Sequence, residues 1–202
     1  MIVVGLTGSI AMGKTTVASI FSQFGVPVFD ADAAVRDFYS GDSARSVEEM
    51  FPGVLVAGRV DRERLAKFVL SDVGALRKLE GLVHPAVGRA RSDFVDDARL
   101  KGRRLAVIDI PLLFETGDET AFDIIIVVSA PERIQRARAL NRKGMTEEKF
   151  VSLLSEQLSD LEKRQRGHFT IHTSETLEKT RAQVSQFLRS VAGLDGCGNY
   201  HA

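Results

Sequence analysis

The stretch GLTGSIAMGKTTVASIF, residues 5–21, contains the pattern that decides the fold. Between Gly8 and Thr15 it matches G-x-x-x-x-G-K-[ST] at every defined position. An apolar, β-rich run (2–6) precedes the match, and an amphipathic helical pattern starts near Lys14 and stops at Gly25. The glycines allow successive backbone N–H groups to face one anion, and the helix adds its positive end. The stretch therefore predicts a strand, a phosphate-binding loop and a helix.

The expected ligand of this loop is a purine nucleoside triphosphate with Mg²⁺. Lys14 is a mobile positive charge for the β and γ phosphates, and the hydroxyl of Thr15 is a candidate magnesium ligand. The other loop positions at which we expect contacts to the nucleotide are Gly8, Ala11, Met12, Gly13 and Thr16.

Composition excludes several other classes of protein. The 202 residues include 27 basic and 27 acidic side chains, so the basic excess of a nucleic-acid-binding surface is missing. No apolar run is long enough to span a membrane, and the N-terminus lacks the basic region of a signal peptide. The one cysteine, Cys197, suits a reducing compartment. We therefore expect a cytoplasmic protein with no nucleic-acid or membrane partner.

Five apolar runs predict buried parallel strands in an α/β fold with helices on both faces of the sheet. They are residues 2–6, 26–29, 105–110, 123–128 and 169–172. Residues 33–100 show no convincing strand and predict a helical insertion, with Asp61 capping one helix and a break or bend at the His84–Pro85 pair. A second helical insertion covers 131–165, where Thr146 caps a helix, and the last helix covers 177–191.

Asp30 and Asp32 follow the second predicted strand, at the edge where open α/β sheets bind ligands. On an extended segment, residues two apart face the same way, and one of these carboxylates is a candidate general base. A helix N-cap is the alternative, and Asp32 is compatible with both roles. Asp109 follows four apolar positions in the third predicted strand, which is the pattern of a Walker B aspartate that holds Mg²⁺ through water, with a polar strand end as the alternative.

The segment after the fourth strand is basic, with five basic residues and one acidic residue between Pro131 and Lys143. Arg138 and Arg142 are four apart and are expected to share a helix face. Either this is a solvated helix, or it is a mobile lid that brings arginines to the transferred phosphoryl group. His84 is compatible with an ordinary, partly buried histidine, and His168 and His172 lack the companions of a metal site.

Taken together, the motifs resemble the dephospho-CoA kinase family over residues 1–190. They are LTGSIAMGKTTV, VFDADAAV, VHPAV, VIDIPLLFETG, VSAPERIQRARALNRKGMTEEKF and EQLSDLEKRQR, in the family's order. The resemblance implies a P-loop kinase core with a five-stranded parallel sheet, a helical substrate-binding insertion and a helical lid. In this division the core comprises 1–32, 101–130 and 166–192, the CoA-binding insertion 33–100, the lid 131–165 and a flexible tail 193–202. It also implies transfer of the γ-phosphate of ATP to the 3′-hydroxyl of 3′-dephospho-CoA.

The resemblance also assigns roles to individual residues. Asp32 is then the base on the ribose hydroxyl, with Lys14 and Arg142 as the other catalytic residues. Arg138 and Arg142 contact ATP together with the loop, and Mg²⁺ is held by Thr15 and Asp109. The dephospho-CoA site is assigned to Asp30, Asp32, His84, Pro111, Leu112, Leu113 and Glu115. The chain departs from the family at Ser9 and Ala11, where glycine is usual, and at His172, where aspartate is usual.

Two other functions are compatible with the sequence. A different small-molecule P-loop kinase, for a nucleoside, nucleotide or sugar acid, would need arginines for its acceptor, and Arg36, Arg45, Arg59 and Arg62 are available. A nucleotide-dependent switch without transferase activity is the other, although the chain lacks the N-K-x-D motif of GTPases. We expect a monomer or a small homo-oligomer.

Overall fold

The computed structural model describes residues 1–70 and 72–193. Residues 194–202 of the predicted flexible tail 193–202, including Cys197, lie outside the described residues. The strands are β1 Ile2–Thr7, β2 Val28–Asp30, β3 Leu55–Val56, β4 Arg59–Val60, β5 Leu105–Asp109, β6 Ile124–Ser129 and β7 Phe169–His172. The α-helices are α1 Lys14–Gln23, α2 Ala31–Phe38, α3 Ala44–Met50, α4 Arg62–Val69, α5 Val73–Leu100, α6 Glu132–Leu140, α7 Glu147–Ser155, α8 Asp160–Arg166 and α9 Leu177–Val191.

Five strands form one sheet in the order β2-β5-β1-β6-β7. β1 pairs in parallel with both of its neighbours, so that Val4 lies opposite Val107 on one side and opposite Ile124 on the other. All six residues of β1 are buried, because helices cover both faces of a sheet of this kind. The predicted five-stranded parallel sheet is confirmed.

The chain divides into two compact units. Among the described residues, the first contains 1–29 and 95–193, and the second contains 30–70 and 72–94. In the first unit the sheet packs on α1 and α9, where the rings of Phe21 and Phe187 meet edge to face at 5.9 Å. The end of α1 and the bounds of α9 agree with the prediction, and Thr146 caps α7 as expected.

The second unit is mainly helical and has its own core, which includes Val47, Phe51, Leu65 and Leu79. It also contains a hairpin, because β3 and β4 pair antiparallel around a turn at Ala57 and Gly58. These two residues have φ values of 49° and 77°, which is the conformation of a tight hairpin turn. The prediction of no strand in 33–100 is therefore wrong, since strands of two residues are too short to produce an alternating pattern.

The helix does not break at His84, because α5 runs continuously from Val73 to Leu100 with Pro85 inside it. Proline removes one helical hydrogen bond, but buried side chains on both sides of it, such as Val83 and Val95, stabilise the helix. Asp61 caps α4 as predicted, by accepting hydrogen bonds from the backbone of Glu63 and Arg64. Within the described residues, no helix combines the length and the apolar character needed to cross a membrane.

Candidate active site

The phosphate-binding loop lies between β1 and α1 and depends on two of its glycines. Gly13 has φ 95°, which disfavours any other residue, and a Cβ there would lie 3.1 Å from the Thr173 hydroxyl oxygen. A Cβ on Gly8 would lie only 2.6 Å from the carbonyl oxygen of Val128, a backbone atom that cannot move aside. The motif glycines are therefore required by the local geometry as well as by the approach of a phosphate.

The two loop positions at which the chain departs from the family differ in their consequences. Ala11 has φ 62°, a left-handed conformation that costs a non-glycine residue about 1 kcal/mol and that glycine adopts without this cost. Ser9 is 4% exposed. Its hydroxyl has no hydrogen-bond partner among the described residues.

Lys14 forms an ion pair with Asp109 at the end of β5. The two side chains are only 15% and 7% exposed, so the lysine is held inside the site instead of extending into solvent. The carboxylate of Asp109 and the hydroxyl of Thr15 are hard oxygen donors of the kind that Mg²⁺ prefers, with its other ligands supplied by phosphates and water. These residues therefore fit a magnesium site shared with a bound nucleotide.

Side chains from other elements tie the loop backbone in place. The amide of Ile10 donates to Gln157 Oε1 at 3.1 Å, and the Ile10 carbonyl accepts from Gln135 Nε2 at 2.9 Å. The sulfur of Met12 accepts a hydrogen bond from the backbone of Ala130 at 3.1 Å. Neither glutamine could be identified from the sequence, where the available signal was an uncharged amide, Gln135, within a charged helical pattern. In the structure Gln135 is 4% exposed.

Arg138 and Arg142 do not share a helix face, contrary to the prediction. Helix α6 ends at Leu140, so Arg142 lies in the following turn and is exposed. Arg138 is half-buried and donates to the hydroxyl and the carbonyl of Thr173, at 2.9 Å and 2.5 Å. The helix ends early because Asn141 and Arg142 adopt a turn before Gly144, which has φ 76°. Of these two arginines, Arg138 is the one held beside the loop, through Thr173.

The backbone of His172, at the end of β7, is held by a side chain of α9. Its N–H donates to Gln183 Oε1 at 2.9 Å, and its carbonyl accepts from Gln183 Nε2 at 2.8 Å. The imidazole itself is exposed. Position 172 therefore contributes to the sheet edge through its backbone, and the identity of its side chain is less constrained.

The PLLFE stretch, residues 111–115, has a mixed environment. Leu113 is fully buried and packs against Gly5, whereas Leu112 is 40% exposed. The carbonyl of Pro111 accepts from the Thr7 hydroxyl at 3.1 Å. Glu115 Oε1 lies 2.7 Å from the Nζ of Lys163, whose side chain is completely buried, and accepts from the Leu158 amide at 2.9 Å. In this structure Leu113 and Glu115 therefore make contacts within the protein.

In the second unit, the prediction that Asp30 and Asp32 both lie on an extended segment is wrong. Helix α2 begins at Ala31, and Asp30 is its N-cap, accepting from Ala33 at 2.9 Å. Asp30 also lies 3.4 Å from Arg36. Asp32 is exposed in the first helical turn. The capping role therefore belongs to Asp30, and no hydrogen bond or ion pair within the described residues occupies Asp32.

Two cavities adjoin these groups, one in each unit. A cavity of about 480 Å³ in the second unit has Asp32 in its wall. His84, exposed on α5, is not among the residues that line it. In the first unit, a cavity of about 370 Å³ between α1 and α9 is lined in part by Thr15 and Thr16. It therefore adjoins the first turn of α1, which contains Thr15.

A complete phosphate-binding motif, placed between the central strand and its helix and followed by a buried aspartate on the neighbouring strand, defines a P-loop nucleotide-binding protein. A family model described as dephospho-CoA kinase matches residues 2–179. The chain belongs to the dephospho-CoA kinase family.

Curated relatives named dephospho-CoA kinase match over almost the whole chain. The protein from Rhodopseudomonas palustris strain BisB18 is 48% identical over 194 residues, which is 96% of this chain and 98% of the relative. The protein from Mesorhizobium japonicum is 47% identical over 196 residues, covering 97% of this chain and 100% of the relative.

Solved structures agree with this fold. The structure of TT1252 from Thermus thermophilus has a TM-score of 0.82 at 33% identity, covering 95% of this chain and 98% of that one. Dephospho-CoA kinase from Campylobacter jejuni has a TM-score of 0.70 at 21% identity, covering 94% and 96%. Shikimate kinase from Acinetobacter baumannii, at 16% identity and a TM-score of 0.54, covers 95% and 93% and shares the fold.

Proposed function

We propose that this chain is a dephospho-CoA kinase, which transfers the γ-phosphate of ATP to the 3′-hydroxyl of 3′-dephospho-CoA and releases CoA and ADP. Membership of the family supports the reaction. One observation supports the assignment of Asp32 as base: the neighbouring aspartate takes the N-cap role of α2. Asp30 caps the helix, while Asp32 is exposed and has no partner within the described residues.

In this proposal the Asp32 carboxylate accepts the proton of the acceptor hydroxyl as that oxygen forms a bond to the γ-phosphorus. The bond from the γ-phosphorus to the β–γ bridging oxygen breaks, and ADP leaves with that electron pair. The Asp32 side chain is exposed, so its carboxylate is accessible to an acceptor hydroxyl.

The first unit holds the donor. Backbone N–H groups of the loop bind the phosphates, and Lys14 exchanges its contact with Asp109 for the phosphate oxygens. Thr15 and Asp109 would hold Mg²⁺, which neutralises charge on the β and γ phosphates when it is bound. Arg142, exposed in the turn after α6, is proposed to contact the phosphates, and Arg138 is proposed to contact the nucleotide from its position beside Thr173.

His84, Pro111 and Leu112 remain proposed contacts to dephospho-CoA. Asp30 is proposed to act at that site through Arg36. For Leu113 and Glu115 the contacts within the protein favour a structural role. We further propose a cytoplasmic protein, acting as a monomer or small homo-oligomer, whose partners are ATP and dephospho-CoA and not nucleic acid or membrane.

The test is an ATP-dependent assay across acceptors, with 3′-dephospho-CoA compared with nucleoside monophosphates and shikimate. We expect turnover with dephospho-CoA, and turnover of a different acceptor alone would support the second kinase class instead. Asp32→Asn should lower kcat at least about a hundredfold while ATP binding is retained. Asp37→Asn, an exposed position on the same helix, is the matched control. Nucleotide binding with no phosphoryl transfer to any acceptor would favour a switch.

A further inference from the structure

The phosphate-binding loop contains a strained residue, Ala11. In the described part of the chain, Ala11 and Ala57 are the non-glycine residues of positive φ, and Ala57 lies in the hairpin turn. Ala11, with φ 62°, lies inside the loop between β1 and α1. A residue other than glycine persists in this conformation only where its surroundings hold it there. The neighbours of Ala11 should therefore include the groups that hold it.

Two glutamine side chains hold the peptide groups on either side of Ile10. In the peptide that joins it to Ser9, the N–H of Ile10 donates to Gln157 Oε1 at 3.1 Å. In the peptide that joins it to Ala11, the Ile10 carbonyl accepts from Gln135 Nε2 at 2.9 Å. Each bond fixes the orientation of one peptide plane, and the second plane is the one whose orientation defines φ of Ala11.

The same bond determines where the N–H of Ala11 points. The N–H and the C=O of a trans peptide point in opposite directions, and no peptide bond in the described residues is cis. Because the Ile10 carbonyl faces Gln135, the N–H of Ala11 faces away from it. Within the described residues this N–H has no hydrogen-bond partner, so it is available to a ligand.

A second N–H group of the loop is presented in the same way. The Met12 carbonyl accepts from the Thr173 hydroxyl at 2.6 Å, so the N–H of Gly13 points away from Thr173. Gly13 is left-handed like Ala11, with φ 95°, whereas Met12 between them is not. A backbone that alternates left-handed and ordinary residues directs its N–H groups at one anion. Ala11 and Gly13 are therefore placed as two donors of one phosphate cradle, and the first depends on Gln135.

Both glutamines are themselves held in place. Gln135 lies on α6 and is 4% exposed. Gln157 is half-buried just after α7. The adjacent amide of Leu158 donates to Glu115 at 2.9 Å, and Glu115 pairs with the buried Lys163. The two bonds to the loop therefore come from fixed positions and not from freely rotating surface side chains.

We propose that Gln135 and Gln157 are positioning residues for the donor phosphates. They hold Ala11 in its left-handed conformation, so that its N–H faces the phosphates of ATP. The proposal rests on the proposed function for its ligand, ATP, and extends it to residues that do not touch the nucleotide. Glycine at position 11 would adopt this conformation at little cost, so the two glutamines matter most in a chain that has alanine there.

Equilibrium titration of the full chain with MgATP tests the role of the two amides. Gln135→Met and Gln157→Met keep a side chain of similar length and remove the hydrogen-bonding group, and each should weaken ATP binding about tenfold. Gln157→Glu keeps an oxygen that accepts from Ile10 and should recover most of the loss. Gln165→Met, at an exposed position on α8, is the matched control and should bind ATP like the wild type.

Ala11→Gly decides whether the glutamines act through the strained residue. Glycine adopts the left-handed conformation without the cost that alanine carries, a difference of about fivefold in an equilibrium constant. Ala11→Gly should therefore raise the affinity for ATP by up to about fivefold more in Gln135→Met than in the presence of Gln135. A role of Gln135 in fold stability alone would leave the two gains equal, and thermal melting of the four proteins measures that stability separately.

The outcomes separate this proposal from the proposed function. If Gln135→Met and Gln157→Met bind ATP like Gln165→Met, or if Ala11→Gly gives the same gain with and without Gln135, the positioning role is wrong. If the wild type binds ATP but does not phosphorylate dephospho-CoA, the proposed function is wrong, and the comparison of the two gains still decides the role of the glutamines. If the wild type does not bind ATP, both are wrong.

Discussion

The hydroxyl of Thr173 donates a hydrogen bond of 2.6 Å to the carbonyl of Met12, joining the end of β7 to the phosphate-binding loop 161 residues earlier. The same hydroxyl accepts from Arg138, so one buried oxygen connects the loop, the sheet and helix α6. Thr173 is therefore a positioning residue for the donor site. It carries no charge and belongs to no motif that the sequence analysis used.

Thr173→Val removes this oxygen without changing the size of the side chain. It leaves the Met12 carbonyl without that partner and removes one of the two bonds that hold Arg138. We expect the KM for ATP to rise about tenfold, with the KM for the acceptor unchanged. Steady-state kinetics with each substrate varied in turn measures this separation.

Thr173→Ser keeps the hydroxyl and should recover most of the affinity for ATP. Thr170→Val, on the same strand, is the matched control and should leave both KM values near those of the wild type. Equal effects of Thr173→Val and Thr170→Val would show that the loss comes from the strand and not from the hydroxyl.

Lys163→Met should destabilise the protein strongly. The Lys163 side chain is completely buried beside Glu115, and removing one partner of such a pair leaves a poorly solvated charge, typically at a cost of 3–5 kcal/mol. Chemical denaturation measures the free energy of unfolding. Lys101→Met, which breaks the exposed pair with Asp97, should change that free energy by no more than about 1 kcal/mol.

Glu115→Gln separates the two roles considered for this residue. If Glu115 holds the segment at Leu158 and Lys163, the variant loses stability and its KM for dephospho-CoA stays near that of the wild type. A variant of normal stability with a raised KM for dephospho-CoA would instead support a direct contact between Glu115 and the substrate.

Gly8→Ala should abolish tight ATP binding. The added Cβ meets the carbonyl of Val128 at 2.6 Å, so the loop or β6 has to shift. Gly25 has a left-handed backbone conformation, with φ 77°, but nothing lies within 4 Å of a Cβ added there. Gly25→Ala is therefore the matched control. It should cost only the backbone strain of about 1 kcal/mol and leave nucleotide affinity unchanged. Equilibrium binding of ATP and thermal melting of both variants test the contrast.

Glu48 contributes a pH dependence to stability. Its carboxylate accepts hydrogen bonds from the amides of Gly53 and Leu55 at 2.8 Å and 2.6 Å, which lower the pKa of this group. A lowered pKa in the folded state stabilises the protein above the unfolded-state pKa, near 4.3, and this contribution is lost as the pH falls through the folded-state pKa.

Glu48→Gln should therefore be less stable than the wild type at pH 7, and its stability should fall less steeply as the solution is acidified. The neighbouring exposed residue provides the comparison, because Glu49→Gln should keep the wild-type slope. Denaturation midpoints measured between neutral pH and about pH 3 test this, and parallel curves for wild type and Glu48→Gln would contradict it.

The sheet could be predicted because each of its strands is a short apolar run, such as IIIVVS in β6, whose burial follows from composition alone. The hairpin of β3 and β4 could not be predicted, since its turn at Ala57 depends on a conformation that alanine rarely adopts. The helix through Pro85 was missed because local preference favours a break, while burial along a helix of 28 residues favours continuity.

The chemistry of the donor loop was likewise readable from its residue types, because Lys14 and Thr15 belong to a motif with fixed spacing. The residues that hold the loop could not be predicted in this way. Gln135, Gln157 and Thr173 are distant from the loop in sequence, and their uncharged polar side chains belong to no motif. The end of α6 before Arg142 depends on a turn, and a pattern of charges four apart carries no information about where a helix stops.

The two glutamines bonded to Ile10 belong to the region after β6, and Ile10 and Ala11 also pack with Ala139 and Phe150 in one apolar cluster. The loop and this region thus share their packing as well as their hydrogen bonds. A chimaera that exchanged only residues 131–165 with a related kinase would leave mismatched partners around Ile10. A functional chimaera would have to exchange the phosphate-binding loop together with residues 131–165. The loop and the helices after β6 therefore form one exchangeable module.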